Sequence, residues 1–318
     1  MTILLDRIYH PSHRVTDLGE VERFFRTVFG RHSLPRHSLI MAGLVQQPPE
    51  FPADYCTFTP IADLFFDSLD PARYVWGGVQ RYPSIESPHL DGYGWGVGEG
   101  IQEIWDRCRA GGIRLTDQWN QVVDSPVIPS ASFKSAPLFW TLQEDTGLRY
   151  EFYPASSIGP YDHRSAPGWS LPPVSRHDPL AIVRTSHHTV ATRDPVRALR
   201  LLVGILGGEI VDVRHNPVWG SESTFVRIGD DTHELAVPLD ETSHLAADLA
   251  RRDPLDSYYS IGFLVDDLDR VARTLERCGI PWLHRSETAI VSDPAQSIGV
   301  PWGFYTDAPI VHGDVSNS

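Results

Sequence analysis

Two histidines head matching stretches of the chain. His10 is followed after seven residues by Asp17 and after twenty by Gly30, and His187, 177 residues further on, is followed at the same intervals by Asp194 and Gly207. Two glutamates recur in a comparable way. Glu151 lies in Leu148-Arg149-Tyr150-Glu151-Phe152-Tyr153 and Glu234 in Thr232-His233-Glu234-Leu235-Ala236-Val237, so Glu234 is read as taking the place in the second half that Glu151 takes in the first. Neutral imidazole and carboxylate are ligand types for Zn2+, Fe2+, Mn2+ and Ni2+, and a carboxylate placed beside a substrate can also move a proton.

The elements that would position these groups are themselves duplicated. Between Asp and Gly the first copy places Val21, Phe24, Phe25 and Val28, and the second Ala198, Leu201, Leu202 and Ile205, at i, i+3, i+4 and i+7; that spacing predicts one amphipathic helix in each. Before each Asp the residues alternate as in a half-buried strand, so His187, Thr189 and Ala191 share a face opposite His188 and Val190. His10 and His187 are thus expected to begin equivalent strands and to point the same way. A second repeat, 167 residues apart, relates the helix of Ile101, Ile104, Trp105 and Cys108, closed by Gly112, to that of Leu268, Val271, Ala272 and Leu275, closed by Gly279. The order is first, second, first, second: four copies of a unit built from a strand, a helix and further strands. Phe139–Leu142 and Leu148–Tyr153 read as a hairpin about a turn-rich connector, as do the strands flanking Gly229-Asp230-Asp231.

Composition bounds the function. A hydrophobic content of 41% with 21% charged residues is that of a globular protein, and 318 residues suit two domains. The formal net charge of −14 argues against a nucleic-acid or anionic-membrane surface. No apolar run reaches membrane-spanning length and the N-terminus does not read as a signal peptide, so a cytoplasmic location is expected. Cys56, Cys108 and Cys278 are odd in number and far apart, and are read as free thiols. A proline-rich stretch, 154–180, reads as a linker draped over the surface; it divides a first domain, 1–153, from a second, 181–310, with a polar tail at 311–318.

The sequence resembles the vicinal oxygen chelate superfamily, which holds glyoxalase I, bleomycin-resistance proteins, methylmalonyl-CoA epimerase and extradiol dioxygenases. The resemblance rests on Ile8-Tyr9-His10 through Asp17-Leu18 with Phe24-Phe25 and Gly30, on Thr146-Gly147-Leu148-Arg149-Tyr150-Glu151-Phe152, and on His187 through Asp194 with Gly207-Gly208. It also rests on Tyr259 through Leu268 and on Gly299-Val300-Pro301. It implies an α+β fold in which four βαβββ modules pair into two curled sheets, each hollow able to hold one divalent metal, Fe2+, Mn2+, Zn2+ or Ni2+. In such proteins the ligands come from the first strand of a module, usually His, and the last, usually Glu. Carried over, the resemblance places His10 and Glu151 at ligand positions in the first domain and His187 and Glu234 in the second.

Departures from the pattern matter. The first-strand position of the second module falls at Gly92 or Tyr93 and that of the fourth at Tyr259 or Ser260, none of them His. The fourth module's last strand offers only Trp302-Gly303, and for the first module's last strand only Asp67 is a candidate, a poor one. If neighbouring modules pair, His10 and Glu151 share one hollow, with Asp67 as a third candidate, and His187 and Glu234 share the other. If the middle modules pair, Glu151, His187 and Glu234 converge; the linker favours neighbours.

Each feature also has an ordinary explanation. A histidine opening a strand is commonly just exposed, His13 and His188 face away from the hollow, and Glu234 could be an edge carboxylate. Trp76, Tyr93, Trp95, Phe139 and Trp140 suit a core better than a pocket. The expectation is a metal-dependent enzyme of glyoxalase, lyase or isomerase type, binding adjacent oxygens of a small molecule. The alternatives are an Fe2+ ring-cleaving dioxygenase, which the missing second His counts against, and a non-catalytic binding protein. The expected partners are a small-molecule substrate and, if any protein, a second copy of the chain as a homodimer, with no nucleic acid and no membrane.

Overall fold

The structure, a computed structural model, describes residues 5–131 and 136–307. The polar tail expected at 311–318 lies outside them. Sixteen strands form two eight-stranded sheets, and the second repeats the first strand for strand. The first contains β1 (Leu5–Arg14), β2 (Leu34–Pro35), β3 (Cys56–Ile61), β4 (Leu64–Leu69), β5 (His89–Val97), β6 (Leu115–Thr116), β7 (Phe139–Thr141) and β8 (Arg149–Pro154), in spatial order β2-β3-β4-β1-β5-β8-β7-β6. The second contains β9 (Ile182–Ala191), β10 (Glu209–Asn216), β11 (Ser221–Ile228), β12 (Asp231–Pro238), β13 (Ser257–Val265), β14 (Trp282–Arg285), β15 (Ala289–Ser292) and β16 (Trp302–Tyr305), in the order β10-β11-β12-β9-β13-β16-β15-β14. The fold is α+β, and neighbouring modules pair: β1 lies against β5 and β9 against β13, both antiparallel.

Local chemistry explains the duplicated residues. Asp17 and Asp194 are N-caps: the Asp17 carboxylate accepts from the backbone N–H groups of Gly19 and Glu20, and that of Asp194 from Val196. The helices they start, Leu18–Phe24 and Pro195–Leu199, widen into π-turns over Phe25–Phe29 and Arg200–Ile205, where the periodicity alone predicts a plain α-helix throughout. Gly30 and Gly207 then adopt φ of 64° and 79°, which a residue with a Cβ takes at a cost.

The two halves share a core. Phe25 and Phe29 meet Trp302 of β16 with ring centroids 5.9 and 5.1 Å apart, and Trp302 also meets Phe66 of β4 at 5.3 Å. The contact is clasped by two carboxylates in pseudo-symmetric places. Asp63 of the first half accepts from Thr185 N–H and Oγ1 at 2.7 and 2.8 Å, and Asp231 of the second accepts from Ile8 N–H at 2.5 Å.

The segment 154–180 is not simply draped. Tyr161, Asp162 and Arg164 are buried, and the Arg164 guanidinium donates to the Ile8, Tyr9 and Asp63 carbonyls at 3.0, 2.5 and 2.9 Å. Backbone carbonyls next to a bulge need donors, and this arginine supplies them. The connector of the expected 139–153 hairpin contains a helical turn, Gln143–Thr146. All three cysteines are free.

Candidate active site

Strand β1 is bulged between Ile8 and His10, where its pairing with β5 slips. A bulge lets successive side chains reach one face, and both Tyr9 and His10 line the same hollow. Beyond it the ordinary alternation carries Ser12 and Arg14 to that face and sends His13 into the contact between the halves, where it bonds Ser68 and the Ile298 carbonyl at 3.1 and 2.8 Å. On β4 the lining residues are Asp67 and Leu69, on β8 Glu151 and Tyr153. The cavity they enclose is about 80 Å3, room for an ion and a few substrate atoms but not for a drug-sized molecule.

His10 stands between two carboxylates. Its Nδ1 is 3.9 Å from Asp67 and its Nε2 3.8 Å from Glu151. His10 and Asp67 are 7% and 9% exposed, and His10 Nδ1 and Asp67 Oδ1 are buried with no hydrogen-bond partner. Burial raises the Asp67 carboxyl above its ordinary range, with Glu151 adding to the effect and His10, Arg14 and Arg36 opposing it. One imidazole and two carboxylates form a donor set for a divalent cation, and two ligands about 2.1 Å from one ion are at most about 4.2 Å apart. As placed, the two ring nitrogens face different carboxylates; among the described residues no three His, Cys, Asp or Glu groups gather on one point. The residue types and the two orphaned atoms fit a metal ion; the ring orientation does not yet.

The second half differs. Backbone register equates Ser12 opposite Asp67 with Thr189 opposite Glu234, so Glu234 is the counterpart of Asp67, a correction to its reading as the counterpart of Glu151. Glu151 pairs with Gly94, which pairs with His10; the corresponding positions are Gly303, Gly262 and His187. The resemblance between two Glu-bearing strands was misleading because strand type alone does not set register.

His187 Nε2 lies 3.5 Å from Glu234. The Glu234 carboxylate, wholly buried, accepts from Thr189 Oγ1, Asn216 Nδ2, Ser223 Oγ and Trp219 Nε1 at 2.7, 2.6, 2.7 and 3.2 Å. Four donors match the lone-pair sites of a carboxylate. The space beside Gly262 and Gly303 is filled by Tyr305: a Cβ at Gly303 would lie 2.6 Å from its ring, and the His187 and Tyr305 rings are 5.0 Å apart. Burial lowers His187, although Glu234 opposes the shift. His188 faces the other way, bonded to the Tyr258 hydroxyl at 2.6 Å.

Residues 186–292 match the model of the Glyoxalase/Bleomycin resistance protein/Dioxygenase superfamily. The match lies within the second half of the chain. Three solved structures of similar size share the fold across both halves. A triple mutant of 4-hydroxymandelate synthase from Streptomyces coelicolor is 15% identical over 98% of this chain and 94% of its own, with a TM-score of 0.58. A Mn(II)-bound glyoxalase from Novosphingobium aromaticivorans is 13% identical over 98% and 86%, with a TM-score of 0.57. The 2,3-dioxygenase LapB from Pseudomonas sp. KL28 is 13% identical over 99% and 97%, with a TM-score of 0.55. Comparison with curated proteins yields no match. No helix among the described residues is long and apolar enough to cross a membrane.

Sequence reasoning undervalued Asp67 and overlooked Arg14, Tyr82, Arg149 and Tyr161, all of which border the first hollow or the gap beside it. Signals existed for three. Arg14 is four residues from His10 and Arg149 two from Glu151, on the same faces of their strands, and the 167-residue offset that relates the second pair of helices also relates Asp67 to Glu234. Of the aromatic residues assigned to the core, Tyr93, Trp95 and Phe139 are there, Trp140 is buried in a second apolar cluster and also borders the hollow, and Trp76 packs half-buried against that cluster.

Proposed function

We propose that the chain is a metal-dependent enzyme of glyoxalase, lyase or isomerase type whose reaction takes place in the hollow of the first domain, 1–153, and that the second domain, 181–310, supports it. The observation that carries this reading is the meeting of His10, Asp67 and Glu151 in one small cavity, with a buried nitrogen and a buried oxygen left without partners. His10, Asp67 and Glu151 would hold the cation. A divalent ion there would supply Lewis-acid polarisation of two adjacent substrate oxygens. The chain's own contributions are positioning and exclusion of water. The hydroxyls of Tyr9 and Tyr161 bond each other at 3.0 Å across one wall, and Phe58 and Tyr153 close it. Arg36, 4% exposed, adds a permanent positive charge beside the hollow, while the oxygen that Asp67 or Glu151 leaves free of the ion would move a proton between neighbouring substrate atoms. In the second domain, His187 and Glu234 are assigned to structure, because Glu234 already has four donors.

Metal uptake tests the reading. Protein stripped with EDTA and dialysed against Mn2+, Zn2+, Fe2+ or Ni2+ is expected to retain about one ion per chain. Asp67→Ala and Glu151→Ala are expected to lose it while His187→Ala keeps it. Retention in both carboxylate variants, or no uptake by the parent chain of any of the four ions, removes the metal site and leaves a binding protein.

A further inference from the structure

At the edge of the hollow, three arginines crowd two aromatic rings. The guanidinium carbon of Arg14 lies 3.7 Å from the centre of the Tyr82 ring, that of Arg81 4.8 Å and that of Arg149 5.2 Å; Arg81 and Arg149 also lie 4.7 and 4.9 Å from Trp140. Cation–π contact accounts for part of this packing. Charge does not balance. The acid bonded within the cluster is Asp91, which accepts from Arg14 Nε and Nη2 at 3.1 and 2.7 Å, and Arg81 spends one N–H on the Asn120 side-chain oxygen at 3.2 Å. Arg14 Nη1, Arg81 Nη2 and Arg149 Nη2 are buried without any hydrogen-bond partner, and Arg14 and Arg81 are 4% and 5% exposed. An unpaired buried guanidinium N–H is expensive.

The cluster lies between two cavities. Arg14, Tyr82 and Arg149 line an outer cavity of about 450 Å3, and the same three, with Trp140 and Glu151, border a small gap beside the hollow. We propose that this cluster is an anion subsite, and that the molecule acted on carries a carboxylate held by Arg14 and Arg149 against Tyr82 and Trp140, with its body in the outer cavity and its reacting oxygens toward His10, Asp67 and Glu151. A planar carboxylate matches the guanidinium fork and would give the orphaned N–H groups their acceptors. Electrostatics agrees with the geometry. Burial alone would raise the Tyr82 phenol, yet Arg81, Arg149 and Arg14 together hold it below its ordinary value in spite of Glu151. The Tyr82 ring thus sits among positive charge.

The substrate role of the subsite rests on the proposed function; the binding of an anion does not. Calorimetry on the full chain in EDTA, at low ionic strength, separates them. Acetate, benzoate and inorganic phosphate serve as anionic probes and benzamide as the neutral match for benzoate. At least one anion is expected to saturate a single site that benzamide does not occupy, with Arg149→Met weakening it about tenfold or more and Arg149→Lys recovering part of the loss. Equal binding of benzoate and benzamide, no binding of any anion, or unchanged affinity in Arg149→Met overturns the subsite. Anion binding in a chain that takes up no metal keeps the subsite and removes the metal reading; metal uptake without anion binding does the reverse.

Discussion

Asp67 and Glu234 stand at the same register position of the two sheets, opposite Ser12 and Thr189, and the residues around them give the two carboxylates opposite lives. Asp67 faces a cavity and keeps one oxygen unpartnered, whereas Glu234 is enclosed by four donors and by the ring of Tyr305 nearby. The duplication supplied two hollows, and side chains filled one of them.

Glu234 should therefore matter to stability and Asp67 to ligand binding. Replacing Glu234 by Ala strands four buried donors and removes the carboxylate beside His187 Nε2, which is expected to cost about 3 kcal/mol or more. Asp67→Ala is expected to cost far less, since it removes an acceptor that is only partly satisfied. Urea unfolding of the two variants beside the parent chain checks this; similar midpoints for both would show that the hydrogen-bonded nest around Glu234 contributes little.

Much of the architecture was legible because its signals are local. Asp17 and Asp194 cap helices within three residues of themselves, Gly30 and Gly207 close them, and strand alternation places Glu151 on the face opposite Tyr150 and Phe152. Register is not local. Nothing within β12 says that Glu234 lies level with Thr189 rather than occupying the place of Glu151, so a matching strand type gave the wrong equivalence. The walls of the site were harder still. Tyr82, Trp140 and Tyr161 arrive from separate loops and strands, and the bulge that turns both Tyr9 and His10 into the hollow breaks the alternation a reader would follow.

The clasp between the halves makes stability depend on pH. Burial pushes the Asp231 carboxyl up to about 7, with Asp63 and Asp230 adding to the effect and the Ile8 N–H and Arg164 opposing it. An unfolded aspartic acid titrates near about 3.9. Between roughly 4 and 7 the folded chain thus holds a proton that the unfolded chain has lost, and by linkage the contribution is full at the acid end and disappears as the pH rises through about 7. Asn at this position stays neutral and can still accept from Ile8 N–H. Asp231→Asn is expected to differ least from the parent near pH 4 and to melt higher at pH 8. The gain grows by about 1.4 kcal/mol for each pH step of one across that window. Melting curves that run parallel from pH 4 to 8 would show that Asp231 is ionised without penalty.

The donor set proposed for the first hollow also bears on the kind of reaction. With one imidazole and two carboxylates it is harder than a site of two imidazoles and one carboxylate, and it suits polarisation of paired oxygens better than activation of dioxygen. Turnover of an α-oxygenated carbonyl compound bearing a carboxylate is expected, with no oxygen consumed, and Glu151→Gln should abolish it while leaving the unfolding midpoint nearly unchanged. An oxygen electrode beside a product assay decides the matter. Stoichiometric oxygen uptake with catechols in the presence of Fe2+ would place the chain with ring-cleaving enzymes instead, and would require a second nitrogen or water ligand that His10, Asp67 and Glu151 do not supply.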